Sequence, residues 1–426
     1  MRGLKYSITR DSPSPEFFSA VKFCTINEPL FPNLKTLEFW GIMEYFIPFI
    51  PLFPSQRTTS IALGFGTNLS KATFASVITT LPTLSPDLQV IYFYNLPRNP
   101  MATAAVSRML LVTNRNTLQK LRVDSPLTED ASEVLYELPN LRGLSVVIGR
   151  ETPLPSASLP KLTKLSITCD NEYGWPRLFH GATFGKLERV GFYLLGSGQI
   201  GDFLGAFKTA ALSSSIQNTL SKFSVSAWCS WNPTYSSLLP FTQLVDLEIN
   251  FSCNHGCSSR VDDNIIISLS QAIPKLKALR LGGTPCGQNI SGVTTKGLLA
   301  LAHHCPKLST LSVHLQVASL CEPSGIPGMV LTTGPGASWT DCALARLVVG
   351  KAPVPEGSVT IISLTLLRIF PRLRSIEFTD ERWGEVKNAI NRSREIIDCS
   401  SKQCPLTTPR SILNDHLTGA ALETGG

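Results

Sequence analysis

The apolar residues of this chain follow one spacing that recurs along most of its length. A leucine is followed three positions later by an apolar residue, and two positions after that by another, as in FPNLKTLEF (Phe31–Phe39) and CPKLSTLSV (Cys305–Val313). Residues two apart on a strand point to the same side, so the last two apolar residues predict a short strand with one buried face. The leading leucines are Leu34, Leu88, Leu118, Leu141, Leu162, Leu187, Leu220, Leu244, Leu276, Leu308, Leu344 and Leu373.

The segments between these strands predict helices. DNIIISLSQAI (Asp263–Ile273) and EDASEVLYEL (Glu129–Leu138) are examples, each lying just before the next leucine of the pattern. A proline often stands two positions ahead of the leucine, where it ends the helix and allows the strand to begin. This alternation predicts an α/β leucine-rich-repeat solenoid, with a curved parallel sheet of about twelve strands on the concave side and helices on the convex side.

The repeats divide the chain into three parts. Residues 1–24 predict a partial N-terminal repeat, in which PEFFSAVKF (Pro15–Phe23) is the helix of a unit without a strand. Residues 25–380 hold about 12–13 repeats, including a degenerate copy, TTSIALGF (Thr58–Phe65), in the longest interval between leucines. Residues 381–426 predict an amphipathic capping helix followed by a disordered polar tail.

Composition narrows the possible partners and the compartment. The net charge is +7, from 38 basic and 31 acidic residues without a dense basic run, which argues against nucleic acid as the partner. The most apolar window, Ile42–Phe53, is interrupted by Pro48 and Pro51 and is shorter than the roughly 20 residues of a membrane span. Eleven irregularly spaced cysteines without a visible secretion signal predict reduced thiols in a cytoplasmic or nuclear protein.

Three short motifs resemble chemical sites without meeting their requirements. GSGQIG (Gly196–Gly201) has the glycine spacing of a dinucleotide-binding turn, but no acidic residue lies between Asp202 and Asp246 to bind a ribose. GATFGK (Gly181–Lys186) is one residue short of a P-loop, and CNHGC (Cys253–Cys257) has no second pair of zinc ligands. We therefore expect no catalytic residue, cofactor or metal, and a nucleotide-cofactor enzyme using GSGQIG remains a distant alternative.

The segment TTKGLLALAHHCPKLSTLSV (Thr294–Val313) resembles the cysteine-containing leucine-rich repeats of F-box proteins. Its Cys305, Pro306 and Leu308 match the end of the helix and the start of the strand in that repeat, and the looser copies are similar to those of fungal F-box-like proteins. The resemblance implies the substrate-recognition region of an SCF-type ubiquitin-ligase receptor. No F-box is visible in the sequence, so the SCF adaptor is an expected partner only if an F-box lies upstream. A leucine-rich-repeat scaffold unconnected to ubiquitin is the alternative.

The exposed positions of the predicted strands give the candidate binding residues. Counting the leading leucine as the first position, the third, fifth and seventh residues face away from the core. Two groups stand out at these positions. The aromatic group comprises Trp40, Tyr92, Tyr94 and Tyr193. The basic group comprises Lys120, Arg122, Lys164, Arg189 and Lys222. The basic group ends abruptly at Asp246 and Glu248.

These two groups predict a protein substrate with acidic or phosphorylated groups, bound on the concave face. The alternative is that strand propensity placed the aromatic residues and that the charges only keep the face soluble. In that case binding is expected at the insertion 314–342.

Overall fold

The repeats form one continuous parallel sheet in the computed structural model. The structure describes residues 2–8, 14–24, 29–66, 71–97, 99–113, 115–148, 158–169, 183–194, 203–213, 215–228, 234–252, 261–282, 292–321, 341–349, 352–378 and 380–401. Within these ranges the main sheet has 14 strands in chain order, and every adjacent pair is parallel. They are β1 (Gly3–Ser7), β2 (Thr36–Ile42), β3 (Ser60–Phe65), β4 (Val90–Tyr94), β5 (Lys120–Pro126), β6 (Gly143–Ile148), β8 (Lys164–Cys169), β10 (Arg189–Leu194), β11 (Lys222–Trp228), β12 (Asp246–Ser252), β13 (Ala278–Leu281), β14 (Thr310–Val313), β15 (Arg346–Val349) and β16 (Ser375–Glu377).

Helices connect most of these strands. A separate pair of two-residue strands, β7 (Ser158–Leu159) and β9 (Thr183–Phe184), lies outside the main sheet. The α-helices are α1 (Pro15–Cys24), α2 (Lys71–Leu84), α3 (Pro100–Val112), α4 (Glu129–Tyr136), α5 (Phe203–Ser213), α6 (Asp263–Ala272), α7 (Thr295–His304), α8 (Ala318–Cys321), α9 (Val359–Ile369) and α10 (Arg382–Ser401). Short 3₁₀ helices occupy Glu44–Leu52, Ile216–Asn218 and Tyr235–Leu238.

The register of the sheet confirms the phase predicted from the leucines. Every predicted third position begins a strand, and these residues pair directly across the sheet, as Lys164, Arg189 and Lys222 do in β8, β10 and β11. Parallel strands joined by helices in one repeating order are the architecture of a leucine-rich-repeat solenoid. The chain has this fold.

The N-terminal unit corrects one expectation. We expected the helix PEFFSAVKF to have no strand, but β1 precedes it and pairs with β2 from Gly3↔Thr36 to Ser7↔Trp40. The segment GLKYS lacks the leucine that marks the other repeats, and its two apolar residues, Leu4 and Tyr6, are only partly buried. Together with the degenerate copy, which forms β3, this strand raises the number from about twelve to 14.

The apolar window Ile42–Phe53 lies in the core. Its two prolines fall inside the 3₁₀ helix Glu44–Leu52, and Phe46, Ile47 and Ile50 are buried there. Prolines that remove helical hydrogen bonds explain why this repeat has a 3₁₀ helix where others have an α-helix.

The cysteine at the end of α7 is a structural residue. The thiol of Cys305 is buried and lies 3.6 Å from the carbonyl oxygen of Ile273 and 3.7 Å from that of Ser270, both in the preceding repeat. Burial, with a smaller contribution from Cys342, raises the pKa of this thiol to about 12. A protonated thiol that donates to carbonyl groups fits a role in joining repeats and does not fit nucleophilic chemistry.

Successive residues of each strand face the core and the exposed side in turn, and two leucines test this assignment. Leu165 in β8 is 4% exposed and Leu279 in β13 is 0% exposed, and both point toward the helices. Replacement of either by alanine should lower the free energy of unfolding by about 2–5 kcal/mol, because the cavity left behind adds to the lost burial.

Chemical denaturation of each variant measures this loss. Lys277→Ala is the matched control, because this exposed lysine lies two residues before Leu279, and its effect should stay within about 0.5 kcal/mol. An unchanged midpoint for both leucine variants would contradict the assigned phase.

Candidate partner-binding face

The predicted basic residues lie side by side on the exposed face of the sheet. Direct pairing places one residue from each of five neighbouring strands in a single row, which runs Lys120, Gly143, Lys164, Arg189 and Lys222. We call its four cations the cationic row. Arg122 lies in the next row, two residues along β5, beside Tyr92 of β4. The structure thus brings these side chains together, and their role in binding stays a prediction.

A shallow depression of about 490 Å³ lies beside the cationic row. Its floor is formed by small residues at the fifth position of four neighbouring strands, Ser145, Ser166, Gly191 and Ser224. Tyr92, Tyr94 and Arg122 line the β4 end of the depression. Tyr193 of β10 also lines the depression. The sequence prediction did not single out the small residues, although their recurrence at one position over consecutive repeats was a visible signal.

The aromatic residues at the β4 end form a stack that crosses a glycine. Trp40 in β2 and Tyr94 in β4 have ring centroids 4.7 Å apart, although β3 lies between their strands. The indole reaches across because Gly64 of β3 has no side chain, and a Cβ at this position would lie 2.6 Å from the Trp40 ring. Trp40 is thus already half-buried against Tyr94 in the free protein.

Tyr92 and Arg122 extend this stack. The rings of Tyr92 and Tyr94 meet edge to face with centroids 6.2 Å apart, and the Arg122 guanidinium lies 4.5 Å from the centre of the Tyr94 ring. Arg122 Nε also donates to Asp124 Oδ1 at 3.2 Å. Partial burial raises the pKa of the Tyr92 phenol, so this group stays protonated at neutral pH.

The cations of the face therefore differ in availability. Lys222 lies 3.5 Å from Asp246, and Asp246 in turn accepts from Arg280 at 2.9 Å. Arg280 also lies 3.5 Å from Glu248, and the basic row ends at β12 because Asp246 occupies the next position. Lys120, Lys164 and Arg189 have neither an ion pair nor a side-chain hydrogen bond with any other described residue. Within the described ranges, these three are the cations that a partner meets unpaired.

The other motifs give no second site in the described parts of the chain. GSGQIG, CNHGC and residues 322–340 of the 314–342 insertion lie outside the described residues, as does the tail from residue 402. In GATFGK, Thr183 and Phe184 form β9, which pairs with β7, and Lys186 is exposed. A search of the described residues finds no cluster of His, Cys, Asp or Glu that would hold a metal ion. No helix in these ranges combines the length and the apolar character needed to cross a bilayer.

Comparison with known proteins adds a solved structure of distant similarity. No protein-family model matches the chain, and a search of curated proteins found no match. Among solved structures, the chain is similar to a chain in the crystal structure of the Rad7–Elc1 complex in yeast, at 18% sequence identity and a TM-score of 0.38. The similarity covers 66% of this chain and 75% of that chain.

Proposed function

We propose that this chain is a protein-binding scaffold that holds an acidic segment of a partner in the depression between β4 and β11. The observation that carries this proposal is the set of unpaired cations, Lys120, Lys164 and Arg189, in register beside a floor of small polar residues. The chain itself performs no chemistry in this proposal.

The dimensions of the depression suit a short extended peptide. It spans six neighbouring strands, from β4 to β11, which at a spacing of about 4.8 Å gives about 24 Å. An extended chain covers this distance with about seven residues. Unpaired cations along this length would attract carboxylates and would discriminate against basic peptides.

The boundaries of the depression favour a protein over a nucleic acid. At the β12 side Asp246 and Glu248 form ion pairs with Lys222 and Arg280, so the unpaired cations do not continue across the sheet as a phosphate backbone would require. At the β4 side Tyr92 and Tyr94 offer aromatic surface of the kind enriched at protein interfaces. A row of cations bounded in this way matches a segment with a few acidic groups better than a uniform polyanion.

Reversing the charge of the two central cations tests the proposal. The variant Lys164→Glu with Arg189→Glu should lose most of the partners that the wild-type chain captures from a cell extract, and the remaining binding should depend less on salt. Both side chains are exposed, so the melting temperature should hardly change. Quantitative mass spectrometry of the captured proteins, at two salt concentrations, gives the readout.

The matched control carries the same change in net charge away from the depression. Lys35→Glu with Lys307→Glu reverses two exposed lysines in the turns before β2 and β14. This variant should capture the same proteins as the wild type. If the Lys164/Arg189 variant also does so, the cationic row only keeps the face soluble and the proposal is wrong.

The resemblance to F-box protein repeats adds a more specific hypothesis, in which the bound partner is a substrate presented for ubiquitination. It rests on the sequence similarity around Cys305, Pro306 and Leu308. Purification of the protein expressed from its own gene, followed by detection of the SCF adaptor, tests this hypothesis. Absence of the adaptor, with retention of other partners, would favour a scaffold unconnected to ubiquitin.

A further inference from the structure

Gly191 lies at the centre of a three-by-three arrangement of exposed residues on β8, β10 and β11. The nearest residues of β10 on the same face are Arg189 and Tyr193, two positions to either side. The two flanking strands contribute one residue each to every row. We call this arrangement the Gly191 grid, with rows Lys164–Arg189–Lys222, Ser166–Gly191–Ser224 and Thr168–Tyr193–Ser226.

Every side chain around the glycine is a cation or carries a hydroxyl group. Arginine and lysine donate hydrogen bonds and cannot accept them, and hydroxyl groups can donate. Within the described part of the chain, none of the hydroxyl groups of the grid has a hydrogen-bond partner, and Lys164 and Arg189 have none either. No carboxylate belongs to the grid, and the nearest in register, Asp246, is shared between Lys222 and Arg280.

The missing side chain of Gly191 leaves space between two of these hydroxyl groups. A Cβ at this position would lie 3.1 Å from Ser224 Oγ and 3.9 Å from Ser166 Oγ. An acceptor group placed above the glycine could therefore receive hydrogen bonds of about 2.7 Å from both sides. Arg189 stands on one side of this space and Tyr193, which is 48% exposed, stands on the other.

We propose that the Gly191 grid is a binding subsite for a phosphate group, which the partner segment presents as phosphoserine or phosphothreonine. This inference rests on the proposed function, since the phosphate arrives on the segment that the depression binds. It adds the chemical nature of the group that the segment must carry.

Phosphate fits the grid better than a carboxylate does. A phosphorylated side chain carries a charge of about −1.5 to −2 and three terminal acceptor oxygens. These can accept from the hydroxyl groups on both sides and from the fork of Arg189 at once, with Lys164 beside them. A planar carboxylate has two oxygens and a single charge, so it would leave several of these donors without an acceptor.

Binding of synthetic peptide libraries tests the inference directly. Fluorescein-labelled libraries of degenerate peptides carry phosphoserine, phosphothreonine, serine or glutamate at one fixed central position. Fluorescence anisotropy should show at least about tenfold tighter binding of the phosphorylated libraries than of the glutamate library, since more charge-assisted hydrogen bonds form. Equal or tighter binding of the glutamate library would overturn the phosphate subsite and leave the proposed function standing. Failure of every acidic library to bind would overturn both.

Two variants locate the subsite without changing any charge. Gly191→Val fills the space between the hydroxyl groups, and Ser166→Ala with Ser224→Ala removes the donors while leaving the space open. Each should reduce the preference for phosphoserine over glutamate by about tenfold. Ser312→Val is the matched control, because it places a valine at the same row position on β14, away from the depression.

The control variant should keep the wild-type preference. The same loss in Ser312→Val, or an unchanged preference in both grid variants, would overturn the assignment to Gly191. Melting temperatures of all variants distinguish loss of binding from loss of folding.

The pH dependence provides a separate readout. The second pKa of a phosphorylated side chain is about 6, so affinity for the phosphoserine library should fall as pH is lowered from about 7.5 to about 5.5 and the dianion takes up a proton. Glutamate, with a reference pKa of about 4.3, keeps its charge over most of this range. Among the residues that the structure describes, the titratable groups that face the subsite are Lys164, Arg189, Lys222 with its partner Asp246, and Tyr193, and none of these is a histidine. Affinities of the two libraries that change in parallel would contradict binding of the dianion.

Discussion

Replacement of Phe207 by alanine should lower the free energy of unfolding by about 3–5 kcal/mol. Phe207 lies on α5 and is fully buried, with its ring nearly parallel to that of Phe241 at a centroid distance of 5.4 Å. It also contacts Phe223 at 5.1 Å and Phe192 at 5.7 Å. Alanine would leave a cavity bordered by rigid rings, which cannot collapse to fill it.

The effect should reach the candidate site, because this aromatic cluster lies beneath the Gly191 grid. Phe192 follows Gly191 on β10, and Phe223 precedes Ser224 on β11. Since each repeat of a solenoid packs mainly on its neighbours, the loss should be concentrated around these strands. In the Phe207→Ala variant, hydrogen exchange should show a larger loss of protection, relative to the wild type, in β10 and β11 than in β14 and β15.

Two further substitutions on this helix are controls for the cavity. Phe207→Leu keeps most of the volume and should cost on the order of 1–2 kcal/mol. Leu212→Ala removes a side chain from the same helix that is 43% exposed, so its effect should be within about 0.5 kcal/mol. A loss for Phe207→Ala that is no larger than the loss for Leu212→Ala would show that the cluster is not packed as described.

The second large effect is expected at the C-terminal helix. Trp383 of α10 is fully buried, and its indole Nε1 donates to the carbonyl oxygen of Ala352 at 2.8 Å. The hydroxyl group of Ser363 on α9 donates to the carbonyl oxygen of Val359 in the same helix at 2.7 Å and also lies 3.3 Å from the carbonyl oxygen of Val386 on α10, so the two helices are in contact next to this side chain. Trp383→Ala should cost about 3–5 kcal/mol, because it removes the largest buried side chain that holds α10 on the last repeat.

A conservative variant separates packing from hydrogen bonding at this position. Trp383→Phe keeps much of the ring but leaves the Ala352 carbonyl without its donor, so it should cost about 1–3 kcal/mol. Glu381→Ala changes an exposed residue two positions away and is the matched control. Denaturant unfolding measures all three, and equal stability of Trp383→Ala and Glu381→Ala would show that α10 does not cap the solenoid.

Much of the fold was determined by the sequence alone, because the repeat is local. The spacing from each leading leucine to the next two apolar residues fixes which side of a strand is buried, and this predicted the phase of every strand that follows such a leucine. The strand β1 escaped this reasoning because GLKYS has no leading leucine and only partly buries its apolar residues. It is a strand because β2 offers it a partner, and the local pattern carries no sign of that pairing.

The candidate site depended on the tertiary structure to a greater extent. The sequence placed Lys120, Lys164, Arg189 and Lys222 at equivalent positions of successive repeats, and a solenoid necessarily brings such positions side by side. Only the folded structure decides which of these cations remain unpaired. Lys222 contacts Asp246, and Arg122 contacts Asp124 and Tyr94, because side-chain rotamers bring them within reach of those groups.

Two glycines shape the exposed face of the sheet in ways that the pattern of apolar residues did not predict. Gly64 lets Trp40 reach Tyr94 across an intervening strand, and Gly191 opens a space between the hydroxyl groups of Ser166 and Ser224. In the sequence each is one unremarkable residue of a repeat, because a missing side chain has no meaning without its neighbours. Those neighbours come from repeats that lie more than 20 residues away in the chain. The sequence determined the scaffold and its exposed face, and the packing of distant repeats decided the shape and the available charge of the depression on it.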